Sequence, residues 1–104
     1  MDFAQRSVVR PVRLRIGSAA APAELSFAFN VSDETLVLAG PACLAVGEVV
    51  FVEVGDGAIQ AYGWVESETS AGHKRVRLDY VWAPEHGAFE RWRRGEPVSD
   101  RRAA

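Results

Sequence analysis

Apolar and polar residues alternate along most of this chain with a period of two, the spacing of strands with one face in a core and one in water. In Val12-Arg13-Leu14-Arg15-Ile16 the aliphatic residues face one way and the arginines the other. Leu25, Phe27 and Phe29 share one face of a second strand, with Glu24, Ser26 and Ala28 opposite. Leu36-Val37-Leu38 predicts a short third strand, ended by Gly40-Pro41, where proline removes a backbone donor. A β-branched fourth strand runs from Glu48 to Val54 and a fifth from Ala58 to Glu66, joined by a Gly55-Asp56-Gly57 hairpin turn. The sixth has Val76, Leu78, Tyr80 and Trp82 on one face and Arg75, Arg77 and Asp79 on the other. Six short strands with tight turns read as an antiparallel barrel or sandwich.

The pattern changes at Pro84. Proline suits the first position of a helix, Phe89 and Trp92 fall one turn apart as a docking face, and Gly95 stops it. Phe27, Phe29, Tyr80 and Trp82 are assigned to the core by strand alternation, and Phe89 and Trp92 by helical spacing. Trp64 shares its face with Gln60, Tyr62 and Glu66 and is not so assigned. Residues 1–95 form one domain with an arginine-bearing N-terminal arm, and residues 96–104 a polar tail.

At 104 residues with 48% apolar content the chain can bury a core without staples, and its one cysteine excludes an internal disulfide. No apolar run approaches the ~20 residues of a membrane span, and Met1 to Arg15 lacks the apolar stretch of an export signal. A cytoplasmic protein with no membrane insertion is expected. The net charge of −2 is unevenly spread. Arg6, Arg10, Arg13 and Arg15 precede residue 17, whereas residues 17–72 hold eight acids and no lysine or arginine. That acidic middle argues against a nucleic-acid partner, which needs a broad basic face, and favours a compact anionic ligand.

Catalytic chemistry is missing from the sequence. His73 and His86 lie apart from each other and from Cys43, so no metal-ligand spacing appears. Both histidines read as loop residues, and Cys43, within Ala42 to Val46, as a small buried hydrophobe. No phosphate-cradling or dinucleotide glycine motif occurs, and no nucleophile, base and orienter are grouped. The chain is not expected to be an enzyme.

Two constellations suit ligand binding. Arg6-Ser7-Val8-Val9-Arg10 sets two guanidinium forks four residues apart, able to pair with phosphate oxygens or grip a guanine edge. Asn30-Val31-Ser32 follows the second strand and offers an amide and a hydroxyl beside a turn with free backbone N–H groups. In this order and on this β pattern they resemble the PilZ domain family, whose pattern is RxxxR before the first strand and (D/N)xSxxG after the second. Arg6 and Arg10 match the first motif. Asn30-Val31-Ser32-Asp33-Glu34-Thr35 matches the second except at its last place, where Thr35 stands for glycine. Leu44-Ala45-Val46-Gly47-Glu48-Val49-Val50, Gly63-Trp64-Val65 and Val76-Arg77-Leu78-Asp79-Tyr80 resemble later family segments, extending the likeness over about residues 6–94.

The resemblance implies an all-β, six-stranded antiparallel barrel with a short C-terminal helix. It also implies a stand-alone receptor for the bacterial second messenger cyclic di-GMP, which relays the signal to a protein partner in motility, pilus or exopolysaccharide regulation. By that likeness Arg6 and Arg10 clamp phosphates and guanine faces, and Asn30 and Ser32 hydrogen-bond a guanine and a phosphate or sugar. Arg13 and Thr35 are accessory positions, and no further cofactor is implied. The alternative is a degenerate adaptor of the same family that binds no nucleotide and acts through protein contacts.

Overall fold

The computed structural model of the chain describes residues 8–41, 43–55 and 57–96. Six strands, β1 (Arg10–Ile16), β2 (Glu24–Phe29), β3 (Thr35–Leu38), β4 (Val49–Val54), β5 (Ile59–Glu68) and β6 (Lys74–Trp82), precede one helix, α1 (Ala88–Arg93). The strands close in the order β1-β2-β3-β6-β5-β4, with every pairing antiparallel. Closure gives each strand a hydrogen-bonded neighbour on both sides. Among the described residues no helix is long and apolar enough to cross a membrane.

The interior is aliphatic. Leu14, Leu36, Leu38, Val50, Ile59, Val65 and Val76 are fully buried from the strands, and Leu44 joins them from the β3–β4 loop. That loop turns through a hydrogen bond from Leu44 N–H to the Pro41 carbonyl and closes one end of the barrel. The other end gathers the start of β1, the end of β2, the start of β3 and the end of β4. There α1 supplies Ala88 and Trp92 to the core. Trp92 is only 4% exposed.

Several expected inward residues face out. Directly opposed residues of an antiparallel pair share a face. Val12 opposes Ser26 and Arg10 opposes Ala28, so the inner side of β2 carries the small residues Ser26 and Ala28. Leu25 and Phe27 therefore lie exposed on the outer side, beside Arg13 and Pro11. Phe29 is half-buried and meets the His73 ring edge-on at 5.0 Å.

Tyr80 and Trp82 are rephased by a bulge. Tyr62 pairs with Tyr80 but Gly63 pairs with Leu78, which leaves Asp79 as the extra residue. Val76 and Leu78 pack inward before the bulge and Val81 after it. Tyr80 and Trp82 consequently stand 50% and 43% exposed on the outer face. Cys43 is exposed as well, because its neighbour Leu44 takes the core position in that loop.

The helix starts later than Pro84. Gly87, at φ 82°, precedes Ala88 in a left-handed conformation that cannot continue a right-handed helix, so α1 begins after it. It ends as the sequence suggests, at a Gly95 with φ 91°.

Candidate functional site

The register of β1 and β2 brings Arg10, the last residue of the first motif, and the second motif to one end of the barrel. Arg10 opens β1 opposite Ala28, two residues before Asn30. Beyond β2 the chain turns through Asn30–Glu34 into β3, and the last turn of α1 lies against the same end. Arg10, Asn30, Ser32 and Thr35 thus lie at the same end of the barrel. Arg6 lies outside the described residues.

Arg10 points inward and is 7% exposed, an unusual place for a guanidinium. Its nitrogens all find carbonyl partners: Nε donates to Trp92 O at 2.8 Å, Nη2 to Arg93 O at 2.6 Å and Nη1 to Val8 O at 2.7 Å. The planar fork is suited to this task, since its five donors diverge in fixed directions. Trp92 and Arg93 are the last residues of α1, where carbonyls lack partners within the helix. The guanidinium also lies 5.5 Å from the centre of the Trp92 ring, in cation–π range. Burial lowers the pKa of this group from its usual value. Arg10 therefore ties the leading arm, at Val8, to the end of the helix.

The turn after β2 is self-contained. Asn30 holds φ 52°, a left-handed conformation that asparagine tolerates better than most residues. The Ser32 hydroxyl accepts from the N–H groups of Thr35 (3.1 Å) and Glu34 (3.3 Å) and lies 2.9 Å from Thr35 Oγ1, while Ser32 N–H donates to Thr35 O at 2.8 Å. Thr35, where the family pattern has glycine, is the first residue of β3 and is not among the described residues with positive φ. A β-branched residue is at home there. Asn30 and Ser32 both remain exposed to solvent.

Two further residues belong to this end. Asp33, inside the motif turn, lies 3.4 Å from Arg93 Nε, in ion-pair range but without hydrogen-bond geometry, so that buried Nε has no hydrogen-bond acceptor among the described residues. The hydrogen bond that Arg93 donates to the Glu90 carboxylate is the main influence raising the Arg93 pKa; partial desolvation opposes it, and the Asp33 charge adds to it. The turn, α1 and β1 are thereby linked in series through Asp33, Arg93 and Arg10. Sequence spacing carried no sign of the Asp33–Arg93 contact, which joins residues sixty positions apart.

Arg13 is separated from this group. Three positions along β1 from Arg10, it emerges on the outer face. Among the described residues no group of three or more histidine, cysteine or acidic side chains could hold a metal ion. Comparison with protein-family models, with curated proteins and with solved structures finds no match for the chain.

Proposed function

We propose that this protein is a PilZ-type receptor that binds cyclic di-GMP at the α1 end of the barrel and relays its occupancy to a protein partner. The observation that supports this reading is that Arg10 and the Asn30–Thr35 turn come to one barrel end, with Asn30 and Ser32 exposed to solvent. A ligand with two phosphates and two guanines suits the set. Arg6 and Arg10 offer forks for phosphate oxygens and guanine edges, and Asn30 and Ser32 offer neutral donors and acceptors.

Three of the five Arg10 donors are held by carbonyls of α1 and of Val8, so a phosphate that takes the whole fork competes with those carbonyls. Phosphate is the stronger acceptor, since both partners are then charged. Ligand binding in this reading loosens the last turn of α1, and that change is the signal a partner detects.

Calorimetric titration of cyclic di-GMP tests the proposal. Binding is expected for the wild-type chain, with Arg6→Ala and Ser32→Ala each weakening it about tenfold, or ~1.4 kcal/mol. Absence of heat from the wild type at roughly 100 μM ligand, a level that detects affinities near −5.5 kcal/mol, rejects it.

The adaptor reading is favoured by one observation: the Arg10 nitrogens and the Ser32 hydroxyl already have partners within the chain. On that reading Thr35→Gly, which restores the family pattern and removes the Thr35 hydroxyl from Ser32, gains no nucleotide binding. Partner recognition then survives loss of Arg6.

A further inference from the structure

We propose a second ligand site, for a guanine mononucleotide, on the outer face of β1, β4, β5 and β6. It is independent of the barrel-end reading and shares no residue with the Arg10–Ser32 corner.

The face holds a groove of about 350 Å³, within the usual range for small-molecule sites. Its floor is aromatic. Strand register sets Arg15, Phe51, Tyr62 and Tyr80 side by side across the four strands. The Phe51 and Tyr62 ring centres lie 5.6 Å apart, and Tyr62 stacks on Tyr80 at 5.5 Å and 26°. The adjacent row carries Arg13, Glu53, Gln60 and Trp82. At ~4.8 Å per strand, the row from Arg15 to Tyr80 spans about 14 Å, the scale of a nucleotide with its phosphate rather than of a lone ring.

The charges explain why the groove suits a ligand. Lys74, Arg77, Arg91, Arg93 and Arg94 each meet a carboxylate. Arg13 and Glu53 are opposed across β1 and β4, where opposite charges normally close on one another, yet no ion pair among the described residues joins Glu53 to Arg13 or Arg15. Arg15 gives one guanidinium nitrogen to the Ala21 carbonyl at 2.7 Å. One half-buried carboxylate and two guanidinium groups therefore line the same groove as an aromatic floor, unspent on each other.

An occupant must bring a planar ring for the tyrosines, N–H donors for Glu53 and anionic oxygens for the arginines. Guanine presents adjacent N1–H and N2–H donors that a carboxylate accepts in parallel, whereas adenine presents an acceptor at N1. With the base packed against the Tyr62–Tyr80 ring pair, its edge falls beside Gln60 and Glu53 in the neighbouring row, and the 5′-phosphate falls toward Arg15 and Arg13. An aromatic amino acid carries its ammonium and carboxylate on one carbon and is too short to reach from the arginines to Tyr80.

Amide-resolved NMR titration with 5′-GMP, AMP and guanosine tests the assignment. GMP is expected to shift Phe51, Glu53 and Tyr62 while leaving the Ser32 turn in place, with AMP and guanosine each about tenfold weaker. Glu53→Gln should bring GMP down to the AMP level, and Arg15→Met down to the guanosine level. Unchanged spectra elsewhere serve as the folding control. Equal affinity for GMP and AMP, shifts confined to the Ser32 turn, or no shift at about 5 mM GMP overturns the site. Cyclic di-GMP binding that depends on Ser32 and ignores Glu53→Gln would stand apart from that failure.

Discussion

Replacing Gly63 with alanine is expected to cost the barrel about 3 kcal/mol or more, at or beyond the upper end for overpacking a core. A Cβ built on Gly63 would lie 1.9 Å from the Arg77 carbonyl oxygen, 2.8 Å from its carbon and 2.9 Å from Leu78 Cα. All three are backbone atoms of β6, so no rotamer change relieves the contact and the two strands must part. They part at the bulge that sets Asp79 aside and turns Tyr80 outward. Thermal unfolding should fall by about 12 °C or more, at 4–8 °C per kcal/mol for a domain of this size. The comparison is Gly57→Ala, where φ is 90° but nothing lies within 4 Å of the added carbon. That substitution carries only the left-handed penalty of about 1–2 kcal/mol. If Gly63→Ala unfolds no earlier than Gly57→Ala, β5 and β6 are not held as closely as the geometry requires.

The same bulge marks where the sequence stops being readable. Period-two patterning identifies six strands and their approximate limits, because alternation is a local property. Which side faces inward is settled by neighbours. On β2 alternation separates Leu25 and Phe27 from Ser26 and Ala28, and hydrophobicity alone assigns the larger pair to the core. Pairing with Arg10 and Val12 reverses the assignment, and the interior accepts the smaller residues. On β6 the phase itself changes at Asp79, and Gly63, the residue that permits this, lies on another strand. A glycine inside an otherwise regular strand was the available cue for such an approach.

At the barrel end the sequence identifies candidate residues but not their present partners. Arg10 and Ser32 are polar residues flanking strands, and their spacing suggested two sets of side chains open to a ligand. The geometry brings them to one end and also gives each an internal partner, through α1 and through the Thr35 turn. Those partners lie far along the chain or depend on one turn conformation, so spacing could not reveal them. The outer groove was still less visible: its members come from four strands and meet only through the closed register.

Removing the Arg10 fork is expected to free α1 from a barrel that stays folded. The helix spans six residues, far short of the length at which a helix persists alone in water, so its structure depends on docking. Docking rests on the burial of Ala88 and Trp92 and on Arg10. Charge-assisted hydrogen bonds contribute about 1.5–3 kcal/mol each, and two serve the terminal carbonyls of α1; allowing for water at the released groups, Arg10→Ala should cost about 3 kcal/mol. The loss falls on the helix first, because the aliphatic barrel interior and its closed ladder do not involve the guanidinium. Trp92 emission should shift to the red, read in a Trp64→Phe, Trp82→Phe background since both of those tryptophans are exposed. Arg10→Lys keeps the charge but replaces a rigid fork with a point donor, so an intermediate shift is expected. Unchanged Trp92 emission in Arg10→Ala would mean that apolar burial alone holds the helix, and a ligand capturing Arg10 would then have no lever on α1.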